Sequence, residues 1–248
     1  CRHLARPNSR HTRETEIKMR HHPDAVMLFA AGFGTRMGEL TRNTPKPLLR
    51  VGGKALLDRT LDLTHAISPA RTVVNAHYHH QKVVDHLKAK PVQVVVETPE
   101  ILETGGGLRN ALPLLGDGPV FTSNTDAVWR GPNPFQMLQE AWQPEKMDAL
   151  LLCLPKENAI GHKGKGDFVL SETGQISRGP GVVYSGIQIL KTDGLHDISE
   201  TAFSLNLLWD QMHKRDRLYG LTYPGKWCDV GSPEGITLAE KMLEAPDV

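Results

Sequence analysis

The stretch LFAAGFGTRMGELTRNTPKPLLR, residues 28–50, ends an apolar run in glycines and then supplies an arginine, Arg36, and a lysine between two prolines, Lys46. Gly32 and Gly34 leave backbone N–H groups bare, and such groups form an anion nest. Arg36 can grip phosphate oxygens with its fork, and Lys46 adds a point charge. Pro45 and Pro47 stiffen the chain on either side of Lys46, which lowers the entropy lost in holding it. Ala30, Ala31, Gly32, Gly34 and Thr35 are therefore the expected cradle for a row of phosphates, as in a nucleoside triphosphate. A plain glycine turn beside solvated cations is the alternative for this stretch taken alone. A dinucleotide fingerprint is disfavoured, because Gly32, Gly34 and Gly38 give G-x-G-x-x-x-G rather than G-x-G-x-x-G. The prolines also forbid the long helix that should follow. A Walker A sequence is absent.

Further candidates lie downstream. In FTSNTDAV, Asp126 follows an apolar strand, a typical position for a Mg²⁺ ligand. In KWCDVGSPEG, Asp229 stands among apolar residues and needs a partner, which a metal shared with Asp126 would supply. A turn or a salt bridge would also account for either. In LETGGG, Gly105 and Gly106 can bring backbone close to a flat ring or a phosphate. Glu103 or Glu97 can accept a base N–H. The loop HKGKGDF offers Lys163, Lys165 and Gly166 to a second phosphate, and Arg178 in ISRGPG is another cation. The alternative is a mobile basic loop. The histidines, HYHH at 77–80 among them, show no ligand pattern and read as surface. No Ser–His–Asp or Cys–His arrangement is present.

These residues need a scaffold. Apolar runs at 26–31, 71–78, 91–97, 118–124 and 148–154 read as strands. Helical patterns alternate with them at 54–67, 80–89, 106–115 and 133–142. Continuous apolar strands alternating with helices predict an α/β fold with a Rossmann-like, mainly parallel sheet covered on both faces. Ligands bind such sheets at the carboxyl ends of the strands, where loops 30–38, 97–107 and 124–128 fall. Beyond residue 160, segments 166–179 and 181–190 read as a hairpin or meander. Residues 199–215 read as a helix with Ser199 as N-cap, and 217–231 as extended. Ser232 and Pro233 open the last helix.

Composition sets the bounds. The chain has 248 residues, 39% hydrophobic and 23% charged, enough for one α/β domain with a full core. Three cysteines, Cys1, Cys153 and Cys228, match neither a disulfide framework nor a zinc site, which suggests a reducing cytoplasm. Residues 1–22 hold six of the 29 Lys/Arg and two of the 28 Asp/Glu. The remainder carries 23 and 26, a net charge of about −3. The body thus has no nucleic-acid footprint, and no apolar stretch approaches a membrane span. The first 22 residues are expected to form a disordered basic extension, with Met19 fitting a natural start. The folded domain is expected over 23–248.

In this order, the motifs resemble those of the sugar-1-phosphate nucleotidyltransferases. AAGFGTRMG…TPKPLL is similar to their signature, NTD stands where many have N-G-D, and WCDVGSPEG matches W-x-D-x-G-T-P-E. LETGGG, GDF, YSGI and FSLNLLWD look closest to the uridylyltransferases acting on N-acetylmuramate 1-phosphate. Mannose-1-phosphate guanylyltransferase-like proteins are the alternative, and a nucleotide-sensing domain without catalysis a further one. The resemblance covers about residues 26–245. It implies a triphosphate on the glycine turn with Arg36 and Lys46 on its charge, and Mg²⁺ on Asp126 and Asp229. It implies the base near 97–107 and Asn75, and the sugar phosphate in the second half, with Gly186 of YSGI among its contacts. Thr125 and Ser232 depart mildly from the family pattern. The Glu-Lys-Pro element of many relatives is missing, with Arg178-Gly179-Pro180 nearest to it, so Arg178, Lys163 or Lys165 would meet the sugar phosphate. A monomer or small homo-oligomer is expected.

Overall fold

The structure is a computed structural model that describes residues 21–246. Residues 1–20 of the expected extension lie outside the described residues. The carbonyl of His21 accepts a hydrogen bond from the Trp142 indole at 3.0 Å.

The chain opens on β1 (Ala25–Phe29), whose apolar run AVMLF is buried at four of five positions. Helix α1 (Leu56–Thr64) leads to β2 (Arg71–Ala76), and α2 (His80–Leu87) to β3 (Gln93–Val96). Next come α3 (Glu103–Leu115), β4 (Val120–Asn124), β5 (Ala127–Arg130), α4 (Pro134–Ala141) and β6 (Ala149–Leu154). Helix α4 starts where the sequence places it, because Asn133 accepts from the N–H groups of Phe135 and Gln136 and Pro134 pre-sets the first turn. The second half holds β7 (Ala159–Ile160), β8 (Phe168–Leu170), β9 (Ile176–Arg178) and β10 (Val183–Leu190). It ends with α5 (Asn206–Lys214), β11 (Leu218–Thr222), β12 (Lys226–Asp229) and α6 (Pro233–Glu244).

Seven strands form the central sheet in the order β11-β6-β10-β4-β1-β2-β3. All neighbours run parallel except β10, which is antiparallel to both β4 and β6. The chain leaves β1 on one side for β2 and β3, then returns on the other side as β4. That reversal opens a crevice at the carboxyl ends of β1 and β4, where open α/β sheets bind ligands. Two apolar cores cover the two faces of the sheet. A third lies between α6 and a small sheet in which β12 pairs β5 antiparallel and β7 parallel. No helix among the described residues is long and apolar enough to cross a membrane.

Three expectations need correction. Of the expected hairpin or meander over 166–190 only a hairpin forms, β8 with β9; β10 enters the middle of the main sheet, tied to β8 through the bridge of Phe168 with Val182. The expected helix over 199–215 forms only from Asn206, and Ser199 caps nothing. Helix α3 holds the preceding segment in an irregular path. Arg109 donates to the carbonyls of Leu195 and Ile198, the N–H of Gly105 donates to Phe203, and Thr104 accepts from the Leu205 N–H. Ser232 does precede α6, yet its hydroxyl caps no N–H; its carbonyl accepts from Gly235 instead.

Candidate active site

The glycine turn leaves β1 directly into the crevice. Gly34 has φ +66°, and a Cβ there would stand 2.9 Å from the Cβ of Lys46. Glycine is therefore required twice at this position, for its backbone and for the approach of Lys46. A Cβ at Gly32 would meet nothing within 4 Å, and its φ lies outside the left-handed region. Packing does not explain Gly32; it leaves bare backbone facing the crevice. The Thr41 hydroxyl donates to the carbonyl of Gly34. The Tyr78 hydroxyl and His79 Nε2 then bond the carbonyls of Thr41 and Arg42. Those residues of HYHH thus brace the turn.

Lys46 occupies a short 3₁₀ turn with Pro47 behind it and is held mostly buried, its side chain 11% exposed. Its Nζ lies 2.5 Å from Asp126 Oδ2. Asp126 stands just past β4, and the neighbouring Thr125 hydroxyl donates to the Phe29 carbonyl at 2.8 Å, which ties β4 to β1. The backbone carbonyl of Asp126 accepts from Val230, so the end of β12 is stitched beside it. Asp229 is thereby brought to the same place. Burial and then the Asp126 charge push the Asp229 carboxyl above its ordinary range; Lys46, Arg36 and His162 act against that rise. A Cβ on Gly231 would lie 2.8 Å from both Asp229 Oδ2 and Arg36 Nη1, so both crowd that glycine. The neighbouring Cys228 is no nucleophile, since burial drives its thiol up to about 11.

Three hollows adjoin. Ala30, Ala31, Gly32, Lys46 and Asp126 line the first. The second, about 420 Å³, is walled by Phe168, Arg178, Tyr184, Gln188, Trp209 and Trp227. Phe29, Thr104 and Asn124 border both, and His162 borders the second and a third that holds Arg36, Lys163 and Asp229. Gly186, at φ +87° in a bulge of β10, leaves room for Asn124: a Cβ would lie 2.8 Å from its Nδ2.

Several residues serve a different purpose from the one the sequence suggests. Gly105 and Gly106 lie inside α3, not in a loop, and both donate their N–H groups to the Phe203 carbonyl. A Cβ on Gly105 would stand 2.3 Å from the Phe203 ring. Their smallness serves close packing, and their donors are not open to a base. Glu97 is buried and fully engaged, Oε1 with Asn75 and Oε2 with the Leu102 N–H. Asn75 in turn accepts from the Ala30 N–H at 2.8 Å. Asn75 and Ala30 thus wire the ends of β1, β2 and β3 to the start of α3. Glu103, at φ +61° on the wall of the first hollow, stays available to a base. Thr35 and Lys165 are exposed; Gly166 has φ +92°, and a Cβ there would stand 2.2 Å from the Gly181 carbonyl oxygen. Lys163 is exposed and pairs Glu234 at 3.4 Å.

Sequence reading found the second hollow only in part. Arg178 was a candidate, and the motifs GDF, YSGI, FSLNLLWD and WCD carry Phe168, Tyr184, Trp209 and Trp227. No role was assigned to Tyr184, Gln188, Trp209 or His162, which come from β10, α5 and a loop, because no spacing joins them.

Residues 26–164 match the MobA-like NTP transferase domain family. The chain is 37% identical to an N-acetylmuramate alpha-1-phosphate uridylyltransferase of Caulobacter vibrioides, covering 89% of this chain and 97% of the relative. A protein of the same name from Neisseria meningitidis serogroup B is 32% identical, with 89% and 98% covered. A crystal structure of a putative glucose-1-phosphate thymidylyltransferase from Bacillus anthracis superposes with a TM-score of 0.75 over 90% of this chain and 96% of that one, at 15% identity, and so bears on the fold alone. By motif, fold and relatives together, the chain belongs to the nucleotidyltransferase family, carrying a MobA-like NTP transferase domain.

Proposed function

We propose that the protein transfers a uridylyl group from UTP to N-acetylmuramate 1-phosphate and releases pyrophosphate. The observation that carries this reading is the position of Asp126 and Asp229. They stand where the glycine turn, with Lys46 and Arg36, meets a cavity large enough for a sugar phosphate. Similarity to two relatives bearing that activity's name selects the substrates.

An oxygen of the acceptor phosphate attacks the α-phosphorus, and pyrophosphate leaves. The nucleophile is already an anion, so no general base is required. The chain's work is to bring two polyanions together and neutralise them. Ala31 and Gly32 offer bare backbone beside the triphosphate. Lys46 and Arg36 bring positive charge to it, and Glu103 faces the base. His162 and Asn124 border the path by which the acceptor phosphate enters.

Mg²⁺ fits the residues present. Asp126 and Asp229 are hard oxygen donors, and burial first and the Asp126 charge second disfavour an ionised Asp229, which a cation would offset. No group of three or more metal-ligating side chains exists among the described residues, and Mg²⁺ is commonly held by one or two carboxylates plus substrate phosphates. Held there, the ion would neutralise phosphate charge as a Lewis acid. The reading implies a cytoplasmic enzyme, where UTP is found, in a step that salvages cell-wall sugar.

The test is pyrophosphate release with Mg²⁺ across four nucleoside triphosphates and the 1-phosphates of N-acetylmuramate, N-acetylglucosamine, glucose and mannose. Release confined to UTP with N-acetylmuramate 1-phosphate is expected. Strong preference for another pair would replace these substrates, and silence throughout would refute the activity.

A further inference from the structure

The second hollow carries one feature that the transfer reaction itself does not use. Among its described lining residues, Arg178 bears the only permanent positive charge. Arg178 borders neither the hollow that contains Asp126 nor the one that contains Asp229. The attacking phosphate of the acceptor must lie beside those carboxylates, at the end walled by Asn124 and His162. Arg178 therefore faces a different part of the acceptor.

The side chain is built in place. Arg178 lies opposite Phe168 across the β8–β9 hairpin. Its guanidinium stands 5.3 Å from the Phe168 ring centroid and 5.6 Å from that of Trp209. Phe168 is buried, and the Trp209 indole is fixed by donating to Gln188 Oε1 at 2.8 Å. Tyr184 packs edge-on against Trp209. Rings thus hold the flat guanidinium, while its N–H groups point outward along its edge. The ion pair it makes, with Asp210 on α5, is long at 3.4 Å and half-exposed on both sides, so it is weak. The cavity's own carboxylate, Asp167, is committed to the Tyr184 N–H. A stacked guanidinium with spare edge donors is a receptor for a planar two-oxygen anion.

We propose that Arg178 binds the carboxylate of the acceptor's lactyl ether, and that this contact lets the enzyme prefer N-acetylmuramate 1-phosphate over neutral sugar 1-phosphates. The inference rests on the acceptor proposed above. It moves Arg178 from the sugar phosphate, where its motif position suggested it, to the opposite end of the acceptor.

The experiment pairs enzyme variants with a modified acceptor. Wild type, Arg178→Gln and Arg178→Lys are compared on N-acetylmuramate 1-phosphate, on its lactyl methyl ester and on N-acetylglucosamine 1-phosphate, with the KM for UTP as a control. With wild type, esterification should cut kcat/KM about 10–100-fold, the range of a charge-assisted contact. Arg178→Gln should lose a similar factor on the free acid, chiefly through KM, and be indifferent to esterification. Arg178→Lys should recover part of the loss, and the KM for UTP should not move. Equal losses on acid and ester would show that Arg178 meets the phosphate or merely supports the hairpin, overturning the inference while leaving the acceptor intact. Wild type that ignores N-acetylmuramate 1-phosphate yet turns over a neutral sugar 1-phosphate would overturn both.

Discussion

Two glycines two positions apart should respond in opposite ways to the same substitution. Gly34 has a left-handed backbone, and a Cβ would stand 2.9 Å from the Lys46 Cβ. The conformation costs about 1–2 kcal/mol for a residue with a Cβ. Overpacking against the root of a buried side chain adds about 1–3 kcal/mol. Gly34→Ala should therefore lose roughly 2–5 kcal/mol, a fall in Tm of about 4–20 °C. It should also shift Lys46 away from Asp126. Gly32 meets none of these limits: its backbone is ordinary and the space beside it is empty. Gly32→Ala should leave Tm unchanged or raise it by a few degrees, because the unfolded chain loses freedom. Yet the new methyl would stand where a phosphate oxygen is proposed to approach the backbone. One lost hydrogen bond to a charged group weakens binding by about 1.5–3 kcal/mol, so the KM for UTP should rise about 10–100-fold. Thermal melts and steady-state kinetics read both variants. Gly32→Ala with full stability and an unchanged KM for UTP would show that the phosphates do not lie on this turn.

Other perturbations separate binding charge from folding. Asp229→Asn should abolish turnover by about 10³-fold or more. It should also melt higher than wild type at neutral pH without divalent ions, because it removes a half-buried charge that faces Asp126; a lower melt would contradict that conflict. Lys46→Ala should lower kcat/KM by about 10–10³-fold, the range for one oriented charge contact, as read from the concentration dependence of pyrophosphate release. Far from the site, Asp148 accepts from Lys191 and Arg217, both at 3.0 Å. Burial pushes its carboxyl up, but those bonds prevail and hold it below the usual range. Its stabilisation is therefore present above the unfolded carboxylate pKa and lost as pH falls through the lower folded value. Asp148→Asn should cost about 3 kcal/mol at neutral pH and flatten the acid limb of a Tm–pH profile; an unchanged acid limb would remove Asp148 from that linkage.

The sequence makes the front half of this molecule readable because each signal there is local. An apolar run alternating with helical patterns reads as a buried strand, and β1, β2, β4 and β6 all follow it. Gly34, Pro45 and Pro47 are constraints on the backbone itself, so the turn and the fixing of Lys46 are visible before any partner is known. Asp229 was conspicuous for being an acid among apolar neighbours. By contrast, β10 is nearly as buried as β6 although it carries Tyr184, Ser185 and Gln188, and direction leaves no mark on composition. Its antiparallel place between β4 and β6 depends on where the β8–β9 hairpin delivers it.

The LETGGG segment shows why the remainder was hidden. Three glycines ahead of an apolar pattern describe a phosphate loop and a close helix contact equally well, because both ask only for a missing Cβ. What decides between them is what occupies the vacated space. Here it is filled by the protein: Phe203 lies against Gly105, the backbone of Thr201 against Gly106, and the Glu97–Asn75 pair against Gly107. Phe203 and Thr201 are about a hundred residues away and belong to a stretch whose pattern reads as helix. The same contacts that claim the glycines hold that stretch out of a helix, so the two misreadings have one cause. Gly105→Ala should accordingly behave as a folding defect. With its Cβ 2.3 Å from the Phe203 ring, it should lower Tm and loosen residues 199–205 in hydrogen exchange, while protein that remains folded keeps its KM for UTP. A rise in that KM at unchanged stability would return Gly105 to the nucleotide.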